Sequence, residues 1–222
     1  MKVGTDGTLL GAWARGGSRI LDIGTGTGLI ALMMAQRFPE ASLTAIDIDA
    51  NAVQQAAGNV ADSPFANRVK VLQADVRSVS SKGDSTFETW HARRFDAIVC
   101  NPPYFIDSLT CPDNRRTMAR HDRSLSYQEL MAATVRLLDD EGEMSVVIPF
   151  DCRSRLEQEA ALAGLSKVRQ CAVKTLPYKP VRRYLLAFRK HPAPLEETTN
   201  VLEETPGVRS SWYQQLTKDF YL

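Results

Sequence analysis

The chain has no apolar run that approaches the roughly 20 residues needed to cross a membrane as a helix. A signal-peptide pattern is also missing after Met1. Both absences argue against a membrane-embedded or exported protein. We therefore expect a cytoplasmic protein without a membrane partner.

The chain also has few cysteines and histidines, and its net charge is close to zero. The four cysteines are dispersed, with no Cys-x-x-Cys pair and no histidine at zinc-ligand spacing. We expect reduced thiols rather than a disulfide framework or a metal centre. A formal net charge of +1 excludes a nucleic-acid-binding surface spread over the whole molecule, so any such surface must be local.

Size and composition predict one domain. The 222 residues can bury one substantial core, and the 44% apolar and 24% charged content is ordinary for a globular protein. We see no internal repeat and no second domain. The expected unit spans residues 1–222, with residues 191–222 as a C-terminal tail and no stable protein partner indicated.

The stretch from Ile20 to Ile30 organises the chain. An apolar run reaches Asp22, glycines follow at alternate positions, and a helical apolar pattern then begins, which predicts strand, tight turn and helix. Alternate glycines let a ligand lie against the main chain. The last position of a Gly-x-Gly-x-x-Gly pyrophosphate turn is occupied by Leu29. The candidate cofactor residues of this stretch are Asp22, Gly24, Thr25, Gly26 and Gly28.

Asp22 precedes the first glycine by two positions, which suits a cofactor with a positively charged amino group rather than a pyrophosphate. A glycine turn alone is also compatible with a plain strand-to-helix connection. Further motifs have to decide between these interpretations.

Two more acids follow predicted strands. Asp47 ends the strand 43–47, about twenty residues beyond the turn, where an acid can bind both hydroxyls of a ribose. Asp49 competes for that role, but we expect it to cap the helix 50–60. Asp75 follows the strand 69–74 and could accept a hydrogen bond from an adenine amino group.

Asp6 lies in a Gly-Thr-Asp-Gly turn before the first apolar helical segment. Its carboxylate could cap that helix. Its position upstream of the first cofactor strand also makes it a candidate wall of the cofactor cleft. We favour capping.

The order of elements predicts an α/β doubly wound sheet. The strands 20–23, 43–47, 69–74 and 95–100 are mostly separated by helical segments, which favours a parallel sheet with ligands at its carboxyl edge. A fifth strand is expected at 143–149, between helices at 129–138 and 153–163. Strands 168–174 and 183–188 are joined by a short polar connection and should form an antiparallel hairpin.

Asn101, Pro102, Pro103 and Tyr104 follow the fourth strand and form the most specific motif. Two prolines fix the backbone and remove donors, which leaves the Pro102 carbonyl free to point into a cleft. The Asn101 carboxamide offers a second acceptor. Two acceptors match the two hydrogens of a planar amino group, and Tyr104 offers a face for a planar base. The alternative is a strand-ending turn with an ordinary buried aromatic residue.

The chain resembles the class I S-adenosylmethionine-dependent methyltransferases that act on exocyclic or amide nitrogen, and most closely the bacterial tRNA1(Val) adenine-37 N6-methyltransferase family. The resemblance covers nearly the whole chain. It rests on Lys2 to Gly7, Leu10 to Trp13, the Asp-x-Gly-x-Gly-x-Gly turn, Asn-Pro-Pro-Tyr, and Leu216 to Tyr221. Members of that family usually carry further residues before the stretch that starts at Lys2.

That resemblance implies a fold, a cofactor and a substrate. The fold is a mostly parallel, seven-stranded Rossmann-like methyltransferase sheet with a C-terminal antiparallel hairpin. The cofactor is S-adenosylmethionine without a metal: Asp22 and the glycines would line its methionine end, Asp47 its ribose and Asp75 its adenine. Asn101, Pro102 and Tyr104 would hold the target adenine of a tRNA.

Basic residues bunch in two places that could contact RNA. The first group, in the long segment 105–126, includes Arg115, Arg116 and Arg120. The second lies on the late hairpin and includes Tyr178, with Arg182 and Arg183 favoured as phosphate contacts. An equally good interpretation of the second group is a solvated edge that discourages aggregation.

Two other functions remain open. A protein glutamine amide presents the same planar amino group as adenine, and other nucleic acids also carry such groups. A catalytically silent RNA-binding protein is the third possibility, although it would not need both motifs.

Overall fold

Eight strands form one sheet that carries helices on both faces in this computed structural model, which describes residues 4–78, 94–102 and 125–220. The strands are β1 (Arg19–Ile23), β2 (Ser42–Asp47), β3 (Val69–Gln73), β4 (Phe95–Cys100), β5 (Leu138–Pro149), β6 (Ser166–Lys174), β7 (Val181–Arg189) and β8 (Glu196–Val201). The helices are α1 (Thr5–Trp13), α2 (Leu29–Arg37), α3 (Ala50–Ala61), α4 (Tyr127–Leu137), α5 (Arg153–Leu162) and α6 (Ser211–Thr217). A 3-10 turn (Phe150–Cys152) precedes α5, and β9 (Glu203–Thr205) pairs with β10 (Val208–Arg209).

The strand order is β3-β2-β1-β4-β5-β7-β6-β8. Strands β1 to β5 pair in parallel, and β7 is antiparallel to both of its neighbours. The predicted doubly wound, mostly parallel sheet and its antiparallel β6–β7 hairpin are therefore confirmed. Because β1 to β4 all end at the same edge, the residues that follow them meet there.

The predicted count of seven strands is wrong, because the tail supplies an eighth. Strand β8 pairs in parallel with β6, with Arg169 opposite Glu196 and Lys174 opposite Val201. Its sequence, Glu-Glu-Thr-Thr-Asn-Val, is polar and mostly exposed. A strand of this kind is held by backbone pairing and lacks the apolar alternation that reveals a strand in sequence.

The helix before β5 begins two residues earlier than expected, and the strand itself begins earlier too. Ser126 accepts a hydrogen bond from the Glu129 amide, and Glu129 reaches back to the Ser126 amide at 2.8 Å. This capping box fixes the start of α4. Strand β5 begins at Leu138 rather than 143, because Leu138 pairs with Phe95 before an irregular step to the pair of Ala97 and Glu143.

The core lies in two layers on either side of the sheet. One layer contains Leu9 of α1, Met34 of α2 and Tyr213 of α6. The other contains Leu130 of α4 and Leu156 of α5. The central strands are covered on both faces, which agrees with their nearly continuous apolar sequences. Within the described ranges, no helix has the length and apolarity to span a membrane.

Candidate functional site

The carboxyl ends of β1 to β4 surround a cleft of about 320 Å³, a size in the range of small-molecule sites. The residues that line it are Ile23, Gly24, Gly26, Ile46, Asp47, Ile48, Ala74, Asp75, Val76, Arg77, Cys100, Asn101, Pro102 and Leu125. The glycine turn, two acids and the Asn-Pro motif, which lie far apart in sequence, thus meet in one place.

The glycine turn requires its glycines. Gly24, Gly26 and Gly28 have φ values of 70°, 57° and 81°, a region that residues with a Cβ rarely adopt. The amides of Gly24 and Thr25 both donate to the Ile46 carbonyl at 2.9 Å, which fixes the turn against the end of β2. The backbone of Gly24 and Gly26 therefore forms one wall of the cleft.

Asp22 is buried beneath this turn, with 1% of its surface exposed. One carboxylate oxygen, Oδ2, accepts a hydrogen bond from the Thr25 hydroxyl at 2.7 Å. The other, Oδ1, has no hydrogen-bond partner among the residues that the structure describes. Burial raises the pKa of Asp22 from 3.8 to about 7, although the Thr25 hydroxyl opposes the shift. A buried carboxylate oxygen without a hydrogen-bond donor fits the ammonium group of a cofactor that contains an amino acid.

Asp47 and Asp49 have separate roles. The Asp47 carboxylate accepts hydrogen bonds from the amides of Gly26 and Asp49, at 2.9 and 3.0 Å, and lines the cleft. Asp49 caps α3 by accepting a hydrogen bond from the Asn51 amide at 2.9 Å, as expected. The backbone thus orients the Asp47 carboxylate at the place expected for a ribose.

Asp75 lines the cleft together with Arg77, which the sequence analysis did not single out. The Arg77 guanidinium donates to both Asp75 oxygens at 2.7–2.9 Å. This pairing lowers the pKa of Asp75. Arg77 also lies 3.6 Å from Glu129 of α4. Asp75 is therefore an oriented carboxylate that already has a cationic partner.

Asn101 and Pro102 follow β4 directly and line the cleft. Cys100, just before them, pairs with Ile23 of β1, which places the Asn-Pro motif beside the start of the glycine turn. Pro102 is buried and Asn101 is half-buried. Pro103 and Tyr104, the rest of the predicted catalytic motif, lie outside the described residues.

The expectation that Asp6 caps α1 is wrong. The helix begins at Thr5, its capping residue is Gly4, and Gly4 makes no side-chain capping bond. Asp6 instead lies in the first turn and forms an ion pair with Arg183 of β7. Helix periodicity in a sequence does not reveal a partner 177 residues away.

The basic residues of the hairpin separate into two sets at opposite edges of the sheet. Lys174, Lys179, Arg182 and Arg183, together with the aromatic Tyr178, lie at the edge that carries the cleft, because Pro149 at the end of β5 pairs with Arg183. The other set lies at the far edge with acidic partners. These pairs are Lys167 with Glu157 at 2.8 Å, Arg169 and Arg189 with Glu143 at 2.7 and 3.1 Å, and Lys190 with Asp140 at 2.9 Å.

Within the cleft-edge set, neighbouring residues differ in how exposed their side chains are and in their partners. Tyr178 is 70% exposed, with the Lys179 ammonium 5.5 Å from its ring centre. Arg182 is exposed, whereas the Arg183 side chain is 22% exposed and paired with Asp6. Arg115, Arg116 and Arg120, the other predicted RNA contacts, lie outside the described residues.

Sequence reasoning missed three apolar residues that line the cleft, one of which is Val76, directly after Asp75. Ile48 follows Asp47 and is 46% exposed, and Leu125 precedes the capping residue of α4. An apolar residue directly after an acid at a strand end is a signal that could have identified Ile48. Leu125 lies beyond the long segment after Asn-Pro-Pro-Tyr, and only the fold brings it to the cleft.

Comparison with known proteins agrees with this geometry. Residues 8–175 match the methyltransferase small domain family. A Bacteroides fragilis protein named tRNA1(Val) (adenine(37)-N6)-methyltransferase is 45% identical over 100% of this chain and 91% of its own length. A Porphyromonas gingivalis protein of the same name is 41% identical over 100% of this chain and 89% of its own.

The fold is also shared with solved structures. An Agrobacterium tumefaciens protein described as a predicted O-methyltransferase superposes with a TM-score of 0.76 at 17% identity, with 96% of each chain covered. At this level of identity the likeness concerns the fold.

Proposed function

Because the chain belongs to the methyltransferase small domain family and to its branch of tRNA1(Val) (adenine(37)-N6)-methyltransferases, we propose that it transfers a methyl group from S-adenosylmethionine to N6 of adenine 37 in tRNA1(Val). The observation that carries the proposal is one cleft that combines the glycine turn with the Asn-Pro motif. A protein that only bound RNA would need neither the glycine turn nor the Asn-Pro motif.

The cleft offers suitable groups for each part of the cofactor. The Asp47 carboxylate lines the cleft and suits the ribose hydroxyls. Asp22 does not line the cleft but lies beneath its glycine turn, and we assign its unpartnered oxygen to the ammonium group. Asp75 and the apolar Ile48 suit the adenine ring. Gly28 allows close packing at the start of α2, where a Cβ would lie 3.4 Å from the Ala56 Cβ.

The bound cofactor supplies a methyl group already activated on a sulfonium, so the protein has mainly to position the acceptor nitrogen. The side-chain oxygen of Asn101 and the carbonyl of Pro102 accept the two hydrogens of the adenine amino group. These bonds favour tetrahedral geometry at nitrogen and free its lone pair for attack. The same oxygens stabilise the positive charge that develops on nitrogen, until one of its two protons is released to water. Tyr104 would stack on the base.

A tRNA substrate also requires phosphate contacts, because the target base must leave its stack at a cost of a few kcal/mol. The cleft-edge residues Tyr178, Arg182 and Arg183 lie at the same edge as the cleft. Arg182 is the residue that we assign to a phosphate. Arg115, Arg116 and Arg120 are further proposed contacts from the segment after the Asn-Pro-Pro-Tyr motif.

The experiment is transfer of labelled methyl to unmodified total tRNA, followed by nucleoside analysis, with EDTA present because the proposed mechanism uses no metal. N6-methyladenosine confined to one tRNA is the expected product. Asn101→Ala should abolish transfer but keep binding of S-adenosylhomocysteine, whereas the exposed Asn51→Ala should retain both. Label that enters protein instead of RNA would favour a glutamine amide substrate.

A further inference from the structure

A half-exposed aromatic residue lies beside the cleft edge. Phe150 follows Pro149 at the carboxyl end of β5 and is 51% exposed. Its ring packs on Tyr184 of β7, with ring centres 6.0 Å apart and planes inclined by 27°. Tyr184 itself is 5% exposed, so the inner ring is buried and the outer ring is presented to solvent.

The support behind this ring is tightly fixed. The Arg153 guanidinium lies 4.7 Å from the Tyr184 ring centre and donates a hydrogen bond to its hydroxyl at 3.2 Å. Glu157 holds Arg153 from the next turn of α5, at 2.9 Å. Phe150 therefore belongs to a stacked arrangement whose orientation is set before any ligand arrives. We call Phe150, Tyr184 and Arg153 the aromatic stack.

The position of the stack points to the substrate rather than the cofactor. Strand β5 is the neighbour of β4, whose end carries Asn101, and adjacent strands lie about 4.8 Å apart. Phe150 is absent from the lining of the cofactor cleft. On β7, the exposed Arg182 comes two residues before Tyr184 and nearer the cleft edge, at an irregularity where Val173 pairs with Arg183 and Lys174 with Val181.

We propose that Phe150 stacks an unpaired nucleotide next to the methylated adenine, and that Arg182 contacts a phosphate of the same strand. The proposal rests on the proposed function and deepens it. An exposed aromatic face beside a cation matches a nucleobase, because every base has a face for stacking. The exposed Asp151 next to Phe150 disfavours a phosphate at the ring itself, so the base covers the ring and the phosphate lies toward Arg182.

The test combines protein variants with modified RNA. The substrate is a tRNA1(Val) anticodon stem-loop, either intact or with an abasic nucleotide on one side of the target adenine. The proteins are wild type, Phe150→Ala, Phe150→Trp and Leu162→Ala. Leu162, at the end of α5, is 75% exposed and provides a matched control away from the cleft edge. Dissociation constants for RNA and S-adenosylhomocysteine are measured for each protein.

Phe150→Ala should weaken binding of the intact stem-loop roughly 5- to 150-fold, the range for loss of one stacked base. Phe150→Trp should restore it, and Leu162→Ala should not change it. An abasic nucleotide on one side of the target adenine should weaken RNA binding by the wild-type protein to a similar extent. It should cause no further loss of affinity in Phe150→Ala. Cofactor-product binding should be equal in all four proteins.

Three results would overturn the proposal, and they differ in whether the proposed function survives. If wild type methylates the stem-loop but Phe150→Ala binds it equally well, the stacking role is wrong and the proposed function survives. The same conclusion follows if the loss of affinity caused by the abasic nucleotide adds fully to the loss caused by Phe150→Ala. If wild type neither binds nor methylates the RNA, both proposals fall.

Discussion

Among the single side chains, Asp22 carries an energetic conflict. Its carboxylate is buried with one unpartnered oxygen, and its pKa is raised to about 7. Between about pH 4 and pH 7 the native protein retains a proton that the unfolded chain releases. The free energy of unfolding therefore falls as pH rises through that window, by about 4 kcal/mol in total. A cationic ligand would relieve this strain.

We predict that Asp22→Asn stabilises the cofactor-free protein at pH 8 and weakens binding of S-adenosylhomocysteine. The neutral amide avoids the buried charge, and each kcal/mol gained should raise Tm by about 2–4 °C. Thermal unfolding at pH 5 and pH 8, with calorimetric titration, measures both effects. The advantage should shrink at pH 5. A variant less stable than wild type at pH 8 would contradict this account.

A second prediction separates two adjacent arginines. Arg182→Gln should weaken tRNA binding and reduce the slope of log affinity against log salt by about one, because one phosphate contact is lost. Arg183→Gln should mainly lower stability, because it removes the ion pair between β7 and Asp6 of α1. Filter binding at several salt concentrations and thermal unfolding test each variant. An unchanged slope for Arg182→Gln would remove the hairpin from the RNA-binding surface.

The contrast between these arginines shows how far sequence predicts a site. Asp47 and Asn101 follow strands of a recognisable parallel sheet, so their convergence in one cleft was predictable. The partner of Arg183 was not, because the strand's position beside α1 depends on the whole fold. Arg77 was missed because its contact with Asp75 depends on the backbone after β3.

On the scale of secondary-structure elements, the start of α4 connects a helix cap to the cleft. The Ser126 side chain accepts from the Glu129 amide, while Glu129 also lies near Arg77. Arg77 in turn holds Asp75. The Glu129 carboxylate thus caps the start of α4 and also supports Arg77, a residue that lines the cleft.

We predict that Ser126→Ala destabilises the protein by about 1 kcal/mol, because an unpaired amide remains at the helix start. Chemical denaturation measures the change, and Ser126→Thr should keep most of the stability because a threonine hydroxyl can also cap. Equal losses in both variants would indicate that packing, rather than the cap, determines the effect.

The elements themselves were largely predictable because their signals are local. The apolar strands and the amphipathic α4 follow from periodicity, and the short connection predicts the β6–β7 hairpin. The sequence did not predict strand β8, because a polar edge strand is determined by pairing with its neighbour β6 rather than by its own side chains.

On the scale of the whole molecule, Glu143 connects parts of the chain that are far apart in sequence. This 3%-exposed carboxylate on β5 pairs with Arg169 of β6 and Arg189 of β7, and lies 3.6 Å from Arg15 after α1. Arg15 also pairs with Glu196 of β8 at 3.0 Å. The cluster lies at the edge of the sheet opposite the cleft.

We predict that Glu143→Gln lowers stability by about 3–5 kcal/mol, because it leaves the buried Arg169 guanidinium without its anion. The exposed Glu141→Gln on the same strand should be nearly neutral. Denaturant unfolding of both variants measures the difference. A small effect at Glu143 would mean that water compensates for the lost charge.

Strand β8 also determines how one molecule meets another. By pairing with β6, β8 covers the backbone groups of that strand and becomes the outermost strand on this side of the sheet. The backbone that faces other molecules on this side therefore belongs to β8, which carries Glu196 and Glu197. Glu196 is paired with Arg15, so the exposed Glu197 is the charge that opposes growth of the sheet from one molecule into the next. The acidic start of the tail thus favours a dispersed protein at high concentration.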